Sequence, residues 1–311
     1  MKKYRKTAGK CLAAILSAAM ALSLTACAGG VKGGESGSAA SSLGSSESAL
    51  EGTTGEKIVN IGVTSTVNTL NPLLMDGVEV NKYATGLMFL PLMELNADME
   101  FEGMLADSIT AEDENHFLVH IDDKAMWSDG QPVTADDVVY TALRLCSPAI
   151  ANTAMMYYVF EGVGDDGFVE PGADHIDGIT KVDEKTVRFA TKEPMSLITF
   201  QNSYARYLMP LPKHIIGDIP EDQLASNQWF SHPDVVSGPY RMTSYDKDHY
   251  VSYEANEAYW KGAPKIPKLN IRIVEGSQLY AGLQSGEIDI THNTMSAIPL
   301  EDYESIQALD T

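Results

Sequence analysis

Hydrophobic positions along the chain fall into three regimes. Residues 11–24 (CLAAILSAAMALSL) are almost continuously apolar, and residues 28–55 carry only isolated large aliphatics such as Val31, Leu43 and Leu50. From residue 57 onward, apolar and polar positions recur with the periods of strands and helices. Within this third regime, the alternation of Val59, Ile61 and Val63 predicts a strand over 57–63. Phe117, Val119 and Ile121 predict another over 116–121, with His116, Leu118 and His120 on its opposite face. Residues 179–190 read as a hairpin turning through Asp183, Glu184 and Lys185, with Val187 and Phe189 directed inward. An aromatic helical or coiled stretch follows at 197–207, ahead of a rigid turn at Pro210 and Pro212.

The C-terminal third is the most regular. Gly238 and Pro239 lead into a strand, Asp246 to Asp248 form a polar turn, and a strand returns from Tyr250 to Glu254. Leu269, Ile271 and Ile273 then alternate, residues 277–285 form a short helix closed by Gly286, and Ile288 to Ile290 resume a strand. Strand, helix and strand in that order predict a crossover unit of an α/β lobe.

Turn and cap chemistry refines two segments. In TSTVNTLNP (residues 64–72), Pro72 disfavours a helical Asn71 and turns the chain. Polar residues beyond the carboxyl end of a strand lie where open α/β folds place ligands, although an ordinary surface loop has the same composition. In MWSDGQPVTADDVV (residues 126–139), Asp129 and Gly130 make a tight turn and Thr134 is placed to cap a helix. Asp137, three residues after Thr134, can complete a capping box, and Asp136 with Asp137 complements the helix N-terminus. These local duties leave Asp129, Asp136 and Asp137 poor candidates for catalysis.

The first two regimes belong to delivery. Lys2, Lys3, Arg5 and Lys10 precede the short apolar run, the pattern of a signal peptide over residues 1–26. The run is shorter than the roughly 20 apolar residues that span a bilayer. Its closing LTAC resembles a lipobox, which implies that Cys27 becomes the acylated first residue and tethers the protein to the cell membrane. Residues 27–56 cannot bury enough apolar surface to order themselves and read as a flexible, lipid-anchored linker.

Charge and cysteine content narrow the function classes. With 22 basic against 43 acidic residues the chain stands at a formal −21, the reverse of a nucleic-acid-binding surface. After removal of the signal peptide only Cys27 and Cys146 remain, so an acylated Cys27 leaves no intramolecular disulfide and stability must come from a packed core. Cys146 shares a helix face with Val139, Ala142 and Leu143 and reads as a small buried hydrophobe. His116 and His120 lack a third ligand at metal spacing, and residues 162–178 miss the calcium-loop pattern. Neither GxSxG nor HExxH occurs, so no catalytic residue, metal or cofactor is assigned.

Several stretches together resemble the family 5 extracellular solute-binding proteins of ATP-driven importers: TLNP (69–72), WSDGQPVTADDVVYT (127–141), LPKHI (211–215), SGPYRM (237–242), NEAYWKGAP (256–264) and LQSGEIDI (283–290). The resemblance implies a periplasmic-binding-protein-like, two-lobed α/β fold of type II with an extra subdomain. Residues 57–268 would form the first lobe with that subdomain inserted, and 269–311 the start of the opposing lobe. Family members are longer, so the resemblance further implies a fragment lacking the rest of that lobe and the return segment. By the same resemblance the chain is a monomeric extracytoplasmic receptor, not an enzyme, that delivers a small solute to a membrane permease and its ATPase. Short peptides lead, with nickel chelates, opines, saccharides and a non-transport receptor role left open. Ligand contact is implied at Ser65, Thr66, Val67 and Asn68 through main-chain pairing, and at Met155, Met156 and Tyr157. The acidic group that holds a peptide amino terminus would fall beyond Thr311.

Overall fold

The computed structural model describes residues 57–155, 157–291 and 298–309. Cys27 and the expected signal peptide and linker lie outside the described residues. In chain order the strands are β1 (Ile58–Val63), β2 (Met93–Leu95), β3 (Phe101–Gly103), β4 (Ala106–Ala111), β5 (His116–Ile121), β6 (Ile179–Lys181), β7 (Thr186–Ala190), β8 (Tyr240–Asp246), β9 (Tyr250–Ala255), β10 (Lys268–Ile273) and β11 (Ile290–Thr291). The helices are α1 (Glu79–Gly86), α2 (Ala135–Leu145), α3 (Leu197–Phe200), α4 (Lys213–Ile216), α5 (Glu221–Leu224), α6 (Gly276–Ser285) and α7 (Tyr303–Gln307), and α3 runs into a π-helical turn at Gln201–Ala205.

Two sheets carry the fold. The first has the order β11-β1-β10-β9-β8, with β1 parallel to both neighbours and β9 antiparallel to β10 and β8. The second is antiparallel, in the order β4-β5-β7-β6, and β2 pairs with β3 as a separate hairpin. One hydrophobic core reaches from Val63, Val67 and Tyr253 at the first sheet to Phe117, Val119 and Val187 at the second. Phe117 stacks on Phe200 with ring centroids 4.5 Å apart, so the aromatic stretch at 197–207 becomes helical by packing against the second sheet.

Parallel neighbours of β1 require a crossover, and α6 provides it between β10 and β11. The helix lies close to β1 because of two glycines. A Cβ on Gly62 would stand 2.8 Å from Ile288 Cδ1, and one on Gly282 would stand 2.7 Å from the same atom. The expected strand–helix–strand unit is thus present, but it builds onto the sheet that holds β1. The boundary expected at 268/269 falls inside β10, which pairs with β1 from Lys268 to Ile273. The alternation of Leu269, Ile271 and Ile273 encodes an interior strand of that sheet, and no break between bodies occurs there.

The 126–139 segment follows its sequence. Asp137 accepts from the Thr134 N–H at 2.9 Å, Trp127 Nε1 at 3.3 Å and the Lys213 N–H at 2.9 Å, which joins the turn, α2 and α4 through one buried carboxylate. Burial raises its pKa while these donors oppose the rise. Cys146 is fully buried, and desolvation pushes its thiol to about 12, as an unreactive core residue requires. His116 pairs with Asp113 and His120 with Asp107, both on the exposed face of β5. Among the described residues no helix is long and apolar enough to cross a membrane, and no three metal-binding side chains converge.

Candidate functional site

The chain leaves β1 at the carboxyl end of the first sheet and enters the polar segment 64–75. Val63 C=O still accepts from the Val274 N–H at 2.9 Å, an extension of the β1–β10 ladder. Further on, the chain is pinned at almost every step. Val67 is fully buried, and its C=O accepts from the Tyr245 hydroxyl. The Asn68 N–H donates to Asn81 Oδ1 at 2.8 Å. Asn71 holds the Leu73 N–H at 2.9 Å and donates to the Ala225 C=O at 3.2 Å, so the residue before Pro72 serves as the cap of a short 3-10 turn over Pro72–Leu74. Asn152 donates to the Leu73 and Met75 carbonyls at 2.9 and 3.0 Å.

Ser65 and Thr66 differ from their neighbours. Both are partly exposed, and among the described residues their main-chain groups make no hydrogen bond. A stretch of backbone held between fixed flanks, with donors and acceptors open, can pair with the main chain of a ligand. The four residues expected to meet a ligand therefore divide. Ser65 and Thr66 are open, whereas Val67 C=O and Asn68 N–H are already engaged inside the protein.

The second expected segment is placed differently. Met155 is half-buried, and Met156 lies outside the described residues. Tyr157, expected at the ligand surface, is instead buried with 1% exposure, its ring 5.5 Å from that of Phe160 and 5.9 Å from that of Tyr204. Among the described residues its buried hydroxyl has no hydrogen-bond partner, and desolvation drives its pKa well above the usual tyrosine value. Tyr157 was implied by the family resemblance alone, and in the fold the rings of Phe160 and Tyr204 hold it in the core. Asn152, three residues before Met155, ties its stretch of chain to Leu73 and Met75 at the end of the first loop.

Beneath the loop lies α1, and it is unusually polar for a buried helix. Asn81 and Lys82 are 0% and 1% exposed. Lys82 donates to Glu94 of β2, which also accepts from Arg206 Nε at 2.6 Å. Burial lowers the Lys82 pKa in spite of that carboxylate, and the ammonium is further held 5.0 and 4.9 Å from the ring centroids of Tyr83 and Tyr207. Glu94 is subject to the opposing effect of burial, yet its bonds from Lys82, Leu95 and Arg206 hold it below the usual carboxylate range. Sequence reasoning missed Asn81 and Tyr245. Their partners are 13 and 178 residues away, and neither spacing is a local signal.

Comparison with known proteins places this architecture. Residues 100–310 match the family described as bacterial extracellular solute-binding proteins, family 5 Middle. A Brucella ovis protein, named provisionally as an ABC transporter peptide-binding protein, is 31% identical over 169 residues, covering 54% of this chain and 29% of that protein. The oligopeptide-binding protein AppA of Bacillus subtilis, solved with a nonapeptide, superposes with a TM-score of 0.66 at 22% identity, over 82% of this chain and 46% of that one. NikZ of Campylobacter jejuni, solved with Ni(L-His), gives 0.62 at 21% identity, over 81% and 45%. The chain spans less than half the length of each of these proteins. The solved structures share the periplasmic-binding-protein-like α/β fold described above, and the family match extends over most of the sequence. The chain belongs to the bacterial extracellular solute-binding proteins, family 5.

Proposed function

We propose that the chain acts as the substrate-binding component of an ABC importer, taking short peptides outside the membrane and passing them to a permease driven by its ATPase. The observation that carries this reading is the open main chain of Ser65 and Thr66 between pinned flanks. Backbone pairing grips many peptides alike without reading their side chains, as a receptor for mixed short peptides requires. The names of the Brucella ovis relative and of AppA point to the same ligand class. Met155 is a further candidate contact, since it is partly exposed near the loop's end. A ligand touching this surface and an opposing lobe would bias a hinge toward closure, and no bond in the ligand need be made or broken. Acylated Cys27 would hold the monomeric receptor at the outer face of the cell membrane on its linker.

Native mass spectrometry of the full chain purified without denaturation tests the ligand class. Retained peptides are the expected result, whereas a retained metal chelate of the NikZ kind, an opine or a sugar overturns it. Labelled palmitate should enter the wild-type protein and not Cys27→Ala, and labelling of that variant would refute the anchor.

A further inference from the structure

Asn81 and Tyr245 come from distant parts of the chain, yet they close on a single peptide unit. Tyr245 donates to the C=O of Val67, and Asn81 Oδ1 accepts the N–H of Asn68 at 2.8 Å. These two polar groups are the two ends of the Val67–Asn68 amide plane. Asn81 is itself held, because its Nδ2 donates to Asp76 Oδ1 at 2.8 Å, and that oxygen also accepts the Val78 N–H at 3.0 Å. The asparagine is fully buried on α1, and Tyr245 sits on β8 with its ring packed against the core.

We propose that Asn81 and Tyr245 are positioning residues for ligand binding: by clamping the Val67–Asn68 peptide unit they withhold the Val67 C=O and the Asn68 N–H from a ligand and fix the direction of the chain before it, where the main chain of Ser65 and Thr66 is open. This inference rests on the peptide-receptor reading above and removes two groups, the Val67 C=O and the Asn68 N–H, from the main chain left to a ligand. An amide plane bonded at both ends cannot rotate to offer either group to a ligand. Upstream, Val63 is fixed by its bond to Val274, so the residues between the two anchors, where the chain bends at Thr64 and Ser65, cross a span that is hydrogen-bonded at both ends. Loss of one anchor restores rotational freedom to that span, and the ligand must then pay the ordering entropy that the protein otherwise meets on folding.

The test is a pair of measurements on the full chain. Amide hydrogen exchange is followed with and without a mixed-sequence tripeptide library, and affinity for a retained library member is compared between wild type and Tyr245→Phe, which removes only the hydroxyl. In the free protein the Asn68 amide should exchange slowly and those of Ser65 and Thr66 fast. Ligand should protect Ser65 and Thr66 and leave Asn68 unchanged. Tyr245→Phe should weaken affinity by roughly tenfold, the size of one lost hydrogen bond, at a temperature where both proteins are fully folded. A merely structural hydroxyl would lower the thermal midpoint without changing the affinity of the folded protein. Fast exchange at Asn68 in the free protein, absence of ligand-induced protection at Ser65 and Thr66, or affinity within twofold of wild type each overturns the clamp. Failure of the wild type to bind any tripeptide refutes the peptide reading itself, a result distinct from all three. Should Tyr245→Phe fail to fold, the exchange pattern of the wild type alone decides.

Discussion

The loop after β1 and the loop before α2 are both tied down by polar side chains, and they differ in what is left over. Around Asp137 the donors of Thr134, Trp127 and Lys213 converge on a single carboxylate, which joins three elements. Around Ser65 and Thr66 the anchors stand on either side, and the main chain between them is left open. Saturated polar groups fix a fold, while unsaturated ones held in place are available to a partner. Both loops are polar and bounded by proline or glycine in sequence, so composition does not tell them apart.

Breaking the saturated loop should give the largest effect. Asp137→Ala leaves several buried donors without an acceptor, and urea unfolding should register a loss of about 4 kcal/mol or more. If the variant remains within about 1 kcal/mol of wild type, the hub role is wrong. Any folded fraction should keep its ligand affinity, since Asp137 does not touch the open loop.

The support under the open loop comes next. Glu94→Gln removes the charge that Lys82 and Arg206 share, at a cost of about 2 kcal/mol near neutral pH. The folded Glu94 pKa is depressed, so its contribution is present above the unfolded carboxylate value and is lost as the pH falls through the lower folded one. Wild-type stability should therefore decline in acid more steeply than that of the variant. Parallel acid limbs in the two denaturation profiles would show that the cluster contributes nothing through Glu94 ionisation.

The smallest effect belongs to the cap. Thr134→Ala should cost about 1 kcal/mol by thermal or urea unfolding. Because Asp137 keeps its remaining donors, this loss should be well below that of Asp137→Ala. Equal losses would mean that the capping pair, rather than the whole hub, accounts for the loop's stability.

Much of this architecture is legible in the residues. Alternation located β1, β5 and β10, and the Thr134–Asp137 spacing specified a cap that the fold contains. The sheet to which β10 belongs was not legible, because Leu269, Ile271 and Ile273 encode which face is buried and say nothing of which strand lies alongside. The candidate site was legible only in part. Polar residues following a strand marked the loop and the family resemblance pointed to 65–68 within it, but the division between open and engaged groups depends on Asn81 and Tyr245, whose bonds to the loop join residues far apart in the chain. Tyr157 was implied at the ligand surface by the resemblance, whereas its surroundings are made by rings at positions 160 and 204, brought together by tertiary packing alone.

A bulge in β8 carries a consequence of its own. Pairing with β9 shifts between Met242 and Ser244, after which Tyr245 lies opposite Val251, on the same side as Met242 opposite Tyr253. Strict two-residue alternation from Met242 would send position 245 to the other face. Thr243 therefore acts as a phase correction, one extra residue that keeps an odd-numbered side chain in step with even-numbered ones. Deleting Thr243 would only turn the bulge into regular pairing, with the tyrosine still two places after Met242 and on its face, whereas one further residue inserted there would send the hydroxyl to the opposite side, away from the Val67 carbonyl.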